Sequence, residues 1–457
     1  MAKNPITSDI VKTIAGSDQK NIKVAITDID GVLRGKYLHK DKFLSAVKKK
    51  GFGFCGVVLG WDCMDSCYEK NEFTGWHSGY PDAMVNLDIN SLRQIPWENK
   101  QFFVLGEFVD SKKEPLAICP RSLLKRITGQ ADGLGYFPQI GFEFEWFNFL
   151  ESPHSLQEKK FKELKPLTPG MFGYSILRSS QNSGYFRDLL EMMRDFSIPL
   201  EGLHTETGPG VYEAAIVRAA PVEAADRGVL FKTGVKEIAY RHGILATFMS
   251  RWSHDYPGCS GHTHISLWDA DGSTNLFFDD RSADGMSEIF CHFLGGLLKA
   301  LPDLLPVFAP TVNSYKRLVE GFWAPTSATW GFDNRTTAIR VINHDASATR
   351  LELRVAGSDI NPYLVGAAAV GAGLWGIKHQ ISLKEKPISG SAYDQKHGTS
   401  FSKNLHEAAI KMGRSEAAHE ILGEAFVKHF VNSRLWEWQQ FASAVTDWEL
   451  NRYFEII

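Results

Sequence analysis

Two carboxylates set two residues apart are the first sign of chemistry: Glu143 and Glu145, in Gly141-Phe142-Glu143-Phe144-Glu145-Trp146-Phe147. On a strand they share one face and the aromatic residues take the other. A carboxylate pair turned inward must be protonated, neutralised or bound to a metal, because bare buried charge is costly. A half-exposed strand with its Glu in water would explain this segment if it stood alone. Two further segments repeat the polar alternation, His262-Thr263-His264-Ile265-Ser266 and Arg350-Leu351-Glu352-Leu353-Arg354. Three such segments favour a shared cavity lined by Glu, His and Arg. Glu206 and Glu213 flank the turn Gly208-Pro209-Gly210, which can bring both carboxylates to the same point. Together Glu143, Glu145, Glu206, Glu213, Glu352 and His262 form an oxygen-rich set that suits Mg2+ or Mn2+ better than zinc. A basic set stands against them: Arg317, Arg335, Arg340, Arg350 and Arg354. Cationic side chains combined with metal-binding carboxylates are what a transferring phosphoryl group requires. The sequence holds neither a Walker loop nor a glycine fingerprint ahead of a helix, so a nucleotide must be held in another way.

The elements that position these groups read as α+β. At 457 residues the chain is too long for one ordinary core, and two domains are the default. Ile22–Asp28 alternates like a strand, turns at Asp30-Gly31 and returns over Lys36–Leu38. A helix over Asp41–Lys50 stops at Gly51, and strands follow at Gly56–Leu59 and Phe102–Gly106. A boundary is expected within Asp110–Pro120. Beyond it, strands are expected at Pro138–Phe149, Tyr212–Ile216, Thr263–Trp268, Thr337–Val341 and Arg350–Val355. Helices are expected at Tyr185–Phe196, Val222–Arg241, Gly285–Ala300, Tyr363–Ile381 and Leu405–Phe430. Ser152–Gly173 lacks a period and reads as a mobile loop. The apolar run from Pro362 to Ile377 is short for a bilayer span and ends in Lys378 and His379, so it reads as a buried helix.

Composition excludes several functions. A net charge of −3 offers no basic field for nucleic acid or an anionic membrane. The six Cys lack the density and spacing of a disulfide scaffold, and Met1–Lys20 lacks the apolar core of a secretory signal. A cytoplasmic protein with free thiols is expected.

Longer motifs narrow the reading. Asn313-Ser314-Tyr315-Lys316-Arg317, Asn334-Arg335-Thr336-Thr337-Ala338-Ile339-Arg340, and Glu352-Leu353-Arg354 followed by Asn361-Pro362-Tyr363-Leu364 resemble the signatures of the glutamine synthetase family. The likeness runs from Asp28-Ile29-Asp30-Gly31 to Trp448-Glu449. It implies an N-terminal β-grasp domain over 20–112 and a catalytic domain over 113–457, with a curved antiparallel sheet forming a funnel. It also implies stacked rings of subunits, such as a dodecamer, whose active sites are completed by a neighbour. By position, Glu145, Glu206 and Glu213 resemble the ligands of one metal, and Glu143, His262 and Glu352 those of a second nearer the nucleotide. Gly258, Arg317 and Arg354 resemble the glutamate-binding groups. Arg335, Arg340 and Arg350 look like the phosphate-facing cations, Arg335 also being catalytic, and His264 and Ser266 lie towards ATP.

The implied reaction forms a γ-glutamyl phosphate from L-glutamate and ATP, with two or more Mg2+ or Mn2+ ions, and then a γ-amide. Ammonia-using members carry a Glu six residues after the Arg of Asn-Ser-Tyr-Lys-Arg; here that position is Trp323. Trp cannot accept a proton, so Glu320 or Asp62 is left as the candidate base, and Trp323 with Asp62 as the amine pocket. Pro257 stands where an Asn is usual, and Val211 where Gln commonly follows the Gly. All three departures lie around the acceptor and amino-acid end. They favour a γ-glutamyl ligase for an organic amine over a glutamine synthetase for ammonia. A member without catalysis, serving as a binding protein, is disfavoured because every metal and phosphate position is kept.

Overall fold

The computed structural model describes residues 5–49, 51–394 and 398–457. Six strands form the first sheet: β1 (Asn21–Thr27), β2 (Leu33–His39), β3 (Phe52–Cys55), β4 (Asp82–Leu87), β5 (Arg93–Ile95) and β6 (Gln101–Val109). Their order is β2-β1-β6-β4-β3, with β5 also on β6; β1 and β6 run parallel and the other pairs antiparallel. Alternation along β1 and β6 decides what each face meets. Val24, Ile26, Phe102 and Val104 pack into the N-terminal core with Phe43 of the helix Lys40–Lys49. Ala25, Phe103 and Leu105 belong to the core of the larger body.

That body is built on β7 (Tyr136–Phe149), β8 (Leu200–Thr205), β9 (Val211–Ile216), β10 (Leu245–Thr247), β11 (Gly261–Asp269), β12 (Ser327–Ala328), β13 (Trp330–Phe332), β14 (Ile339–Ile342), β15 (Arg350–Leu353) and β16 (Thr399–Ser400). Eight of them form a mixed, mostly antiparallel sheet ordered β13-β14-β15-β11-β7-β9-β8, with β10 also on β7; β12 and β16 form a separate ribbon. Ile140, Phe142, Phe144 and Trp146 point from β7 into the core shared with the helices Pro120–Gly133, Pro221–Arg241 and Pro362–Lys378. The opposite face carries Glu143 and Glu145. Strand β8 holds a bulge between Leu200 and Gly202, beyond which His204 pairs with Glu213.

Buried polar contacts join the two bodies. Asn361 caps the helix Pro362–Lys378 and donates from Nδ2 to the carbonyls of Asp28 (3.1 Å) and Ile29 (3.2 Å) in the β1–β2 turn. Arg121 reaches Asp226 with two bonds (3.0 and 2.9 Å), Asp88 at 2.8 Å and Glu107 at 2.5 Å. One guanidinium thus neutralises carboxylates from both bodies.

Several expected elements differ. Gly56–Leu59 is a 3-10 turn rather than a strand: Gly60 N closes on Val57 O at 2.6 Å, and the β-branched run is buried as a turn. Leu405–Phe430 is three helices, Leu405–Gly413, Glu416–Leu422 and Glu424–Ser443. Ser415 caps the second, and Gly423 at φ +85° breaks the chain before the third. Ser152–Gly173 contains a short helix, Pro153–Glu158, started by a Ser152/Ser155 capping box. Expected helix residue Lys50 lies outside the described residues, and the helix Pro5–Gly16 was not anticipated. Among the described residues no helix is long and apolar enough to cross a membrane.

Candidate active site

Cross-strand register gathers the polar groups. His262 on β11 lies opposite Glu143 on β7, and His264 opposite Glu352 on β15, which in turn faces Arg340 on β14. On the other side Glu145 lies opposite Glu213 on β9, and Glu213 opposite His204 on β8. Partners across a ladder share a face, so one polar band crosses the sheet. It lines a cavity of about 600 Å3 with Glu143, Glu145, Glu206, Glu213, His262 and Glu352. Gly258, Arg317, Arg335, Arg340, Arg350 and Arg354 line the same cavity. A second chamber of about 260 Å3 shares Glu143, His264 and Arg350 with it and holds Ser266.

The acidic groups are held in distinct states. Glu352 is buried between Arg354 (Nη1–Oε1 2.5 Å) and Arg340 (Nη1–Oε2 3.0 Å). Burial opposes its charge, but Arg354 and His262 hold it down at about 2. Burial likewise opposes ionisation of Glu143, and the adjacent His262 and His264 overcome it, holding Glu143 well below the usual carboxylate range. Burial pushes Glu213 up, reinforced by the Glu143 and Glu145 charges beside it. Glu206 is held low despite burial by His204 (3.2 Å) and by the Thr207 N–H (2.8 Å).

Three donor sets have one ligand atom each within 4.8 Å of the others: Glu143/His264/Glu352, Glu143/Glu213/His262 and His204/Glu206/Glu213. The buried His262 ring has no hydrogen-bond partner at either nitrogen, although its Nδ1 lies 3.3 Å from Glu352 and 3.7 Å from Glu143. An orphaned, buried imidazole among carboxylates fits a ligated cation. His264 fits less well. Its Nδ1 accepts from Arg350 Nε at 3.3 Å, so the neutral ring donates from Nε2 to Glu143 at 3.1 Å. Glu145 enters none of the three sets, and one of its oxygens accepts from the Ser260 N–H.

Arg317 is buried and has no ion pair among the described residues; it donates to the carbonyls of Val355 (3.0 Å) and Arg354 (3.2 Å). Gly258 packs against it so closely that an added Cβ would lie 2.9 Å from Arg317 Cγ and 2.2 Å from Ser250 O. Arg335 is exposed at the cavity wall. Trp323 and Phe322 also line the cavity, Trp323 being 56% exposed with φ +60°.

Two expected groups are not brought here within one chain. Glu320 is exposed and does not line the cavity. Asp62 is buried in the N-terminal body, where Oδ1 caps Met64 N (2.9 Å) and Ser66 N (3.0 Å) and Oδ2 accepts from Trp436 Nε1 (2.9 Å). Two features beside the acidic groups escaped sequence reasoning, of which Tyr174 lines the cavity. His204 bridges Glu206 and Glu213, and Tyr174 stacks on it with ring centroids 4.4 Å apart. The spacing His204-Thr205-Glu206 repeats the i, i+2 pattern and could have flagged the first.

Residues 117–453 match the family model described as "Glutamine synthetase, catalytic domain". The chain is 50% identical over 451 residues to "Type-1 glutamine synthetase 2" of Dictyostelium discoideum, covering 98% of this chain and 86% of that one. It is 37% identical over 438 residues to "Glutamate--isopropylamine ligase" of a Pseudomonas species, covering 95% of each. A solved structure titled "GmaS/ADP complex-Conformation 1" matches with a TM-score of 0.85 at 28% identity, over 98% of this chain and 99% of that one.

Proposed function

This chain belongs to the glutamine synthetase family, and on that premise we propose that it joins the γ-carboxylate of L-glutamate to an organic primary amine. The coarser statement needs no proposal: it is an ATP-dependent ligase of the acid–ammonia or acid–amine type. The observation carrying the finer one is Trp323, which lines the cavity where ammonia-using members have a carboxylate. An indole offers an apolar face to a substituent, and to a cationic amine only that face, with no carboxylate to take up a proton. The 37% identical isopropylamine ligase supports this reading.

In the proposed reaction an oxygen of the glutamate γ-carboxylate attacks the terminal phosphorus of ATP, and the bond to ADP breaks. The amine nitrogen then attacks the acyl carbon, phosphate leaves, and a proton leaves the nitrogen. Arg317 and Arg354, beside Gly258, would hold the glutamate carboxylates, since Arg317 is a buried cation lacking an anionic partner. Arg335, Arg340 and Arg350 would take phosphate charge. Glu143, His262 and Glu352 would hold one divalent ion, Mg2+ or Mn2+, and Glu206 and Glu213 with Glu145 or His204 a second. Such ions supply neutralisation of phosphate charge. We also propose the division into domains 20–112 and 113–457. In a ring assembly Asp62 would reach a neighbour's acceptor site only if its loop changed its hydrogen bonds.

The 50% identical relative named a glutamine synthetase favours a second reading, with ammonia as acceptor. ATP-dependent phosphate release with glutamate and a panel of alkylamines, ethanolamine, polyamines and ammonia separates them. Turnover with an organic amine should exceed that with ammonia. Ammonia as clearly the best acceptor would refute the amine reading.

A further inference from the structure

Trp323 sits on a backbone that resists it. Bulky residues rarely adopt positive φ, yet Trp323 has φ +60°, and Gly321, two residues before it, has φ +82°. Such a conformation persists only where surrounding contacts fix it. Between the two lies Phe322, and over its ring stands the Arg251 guanidinium, 4.7 Å from the centroid. Arg251 is buried and has no ion pair among the described residues. Its donors go to backbone carbonyls instead: Nε to Ser253 (3.1 Å), Nη1 to Lys316 (2.6 Å) and Nη2 to His254 (2.7 Å). Its own main chain exchanges two bonds with the Asn313 side chain, both 2.8 Å.

One planar cation therefore ties together three cavity-forming segments. The first leads to Pro257 and Gly258, the second carries Arg317, and the third carries Phe322 and Trp323. Nothing in the reaction uses Arg251 directly, and among the described residues no carboxylate lies within ion-pair distance of it, Asp255 acting on it only from further away. A buried cation without a counter-ion is retained at a cost, and what it holds here is the acceptor end of the cavity. We propose that Arg251 is a positioning residue for acceptor selectivity, fixing the Phe322–Trp323 segment against the glutamate-holding segments. This rests on the reading of Trp323 as part of the acceptor end.

Arg251→Lys tests it, because a lysine keeps the charge but cannot reach three divergent carbonyls and stack at once. Steady-state rates of the assembled enzyme would be measured with ATP, glutamate and each acceptor varied in turn, alongside the melting temperature. KM for the preferred acceptor should rise at least tenfold, and the ratio of kcat/KM between that acceptor and ammonia should change by a similar factor. KM for ATP should change less than twofold. Phe322→Leu, which removes the stacked ring and leaves the three hydrogen bonds, should move the same acceptor ratio in the same direction. A fall in melting temperature with the acceptor ratio and acceptor KM unchanged in both variants would overturn the proposal. So would equal losses for ATP and acceptor. The wild-type acceptor panel judges the amine reading separately, since the variants are compared with wild type whichever acceptor wins.

Discussion

Removing and restoring divalent metal should move the melting temperature by an amount that can be worked out. An ion at about a hundredfold excess over its Kd stabilises the folded chain by about 2.7 kcal/mol per site. Unfolding entropy of about 2.1 cal/mol/K per residue gives roughly 1 kcal/mol/K for 457 residues. Each filled site should therefore raise the melting temperature by about 3 °C, and two by about 5 to 6 °C. Differential scanning fluorimetry in EDTA, then across a titration of Mg2+ or Mn2+, reads this directly. Glu213→Gln sharpens the test because its two effects have opposite signs. Buried Glu213 is pushed up by burial and by Glu143 and Glu145, so neutralising it should raise the metal-free melting temperature. The same change removes a ligand and should shrink the metal-induced rise. A variant that lowers the metal-free value and keeps the full rise would refute the assignment.

Arg121→Met should destabilise the protein by about 3 to 5 kcal/mol, because it leaves Asp226 buried without a cation and Asp88 and Glu107 with Lys125 alone; the urea midpoint checks it. His429 is buried with Nε2 unpartnered, and burial together with Arg434 depresses its ring to about 4. The unfolded chain then binds more protons below an unfolded pKa of about 6.5, so stability falls with pH there, by about 2 kcal/mol at about pH 5. His429→Leu should flatten that acid slope in urea titrations at several pH values. Gly258→Ala should raise KM for glutamate at least tenfold, since its Cβ would press on Ser250 O and displace Arg317; an unchanged KM would show that Gly258 tolerates a side chain.

How much could be read beforehand follows from what each residue contacts. Glu143 and Glu145 were legible because the aromatics between them fix the strand's faces, and the face opposite a buried Phe142-Phe144-Trp146 row must meet something polar. The five Arg were legible as a set, but their partners were not. Arg340 and Arg354 share Glu352, the first by strand register and the second two residues along the chain, whereas Arg317, on the helical turn Ser314–Arg317, has only carbonyls. Arg251 was invisible because its hydrogen bonds go to backbone carbonyls, which carry no side-chain signature. The turn at Gly56–Leu59 misled for the opposite reason: its β-branched residues suit a strand, and only tertiary burial makes them a turn.

The bulge in β8 gives the acidic band a vulnerability of an unusual kind. Beyond Gly202 the register pairs His204 with Glu213; before it, Leu200 pairs with Ile216. Were Glu201 paired in the ladder instead of bulged out, the earlier register would continue and Leu203 would fall opposite Glu213. Because strand side chains alternate, His204 would then turn to the face of Tyr212, in the core. Deleting Glu201, by contrast, would close the bulge and leave His204 opposite Glu213, at the loss of a carboxylate that lines the second chamber. The placement of the bulge, and not the length of the strand alone, therefore decides which face His204 takes, and a change that drew Glu201 into the ladder would turn the histidine out of the acidic band with no residue lost.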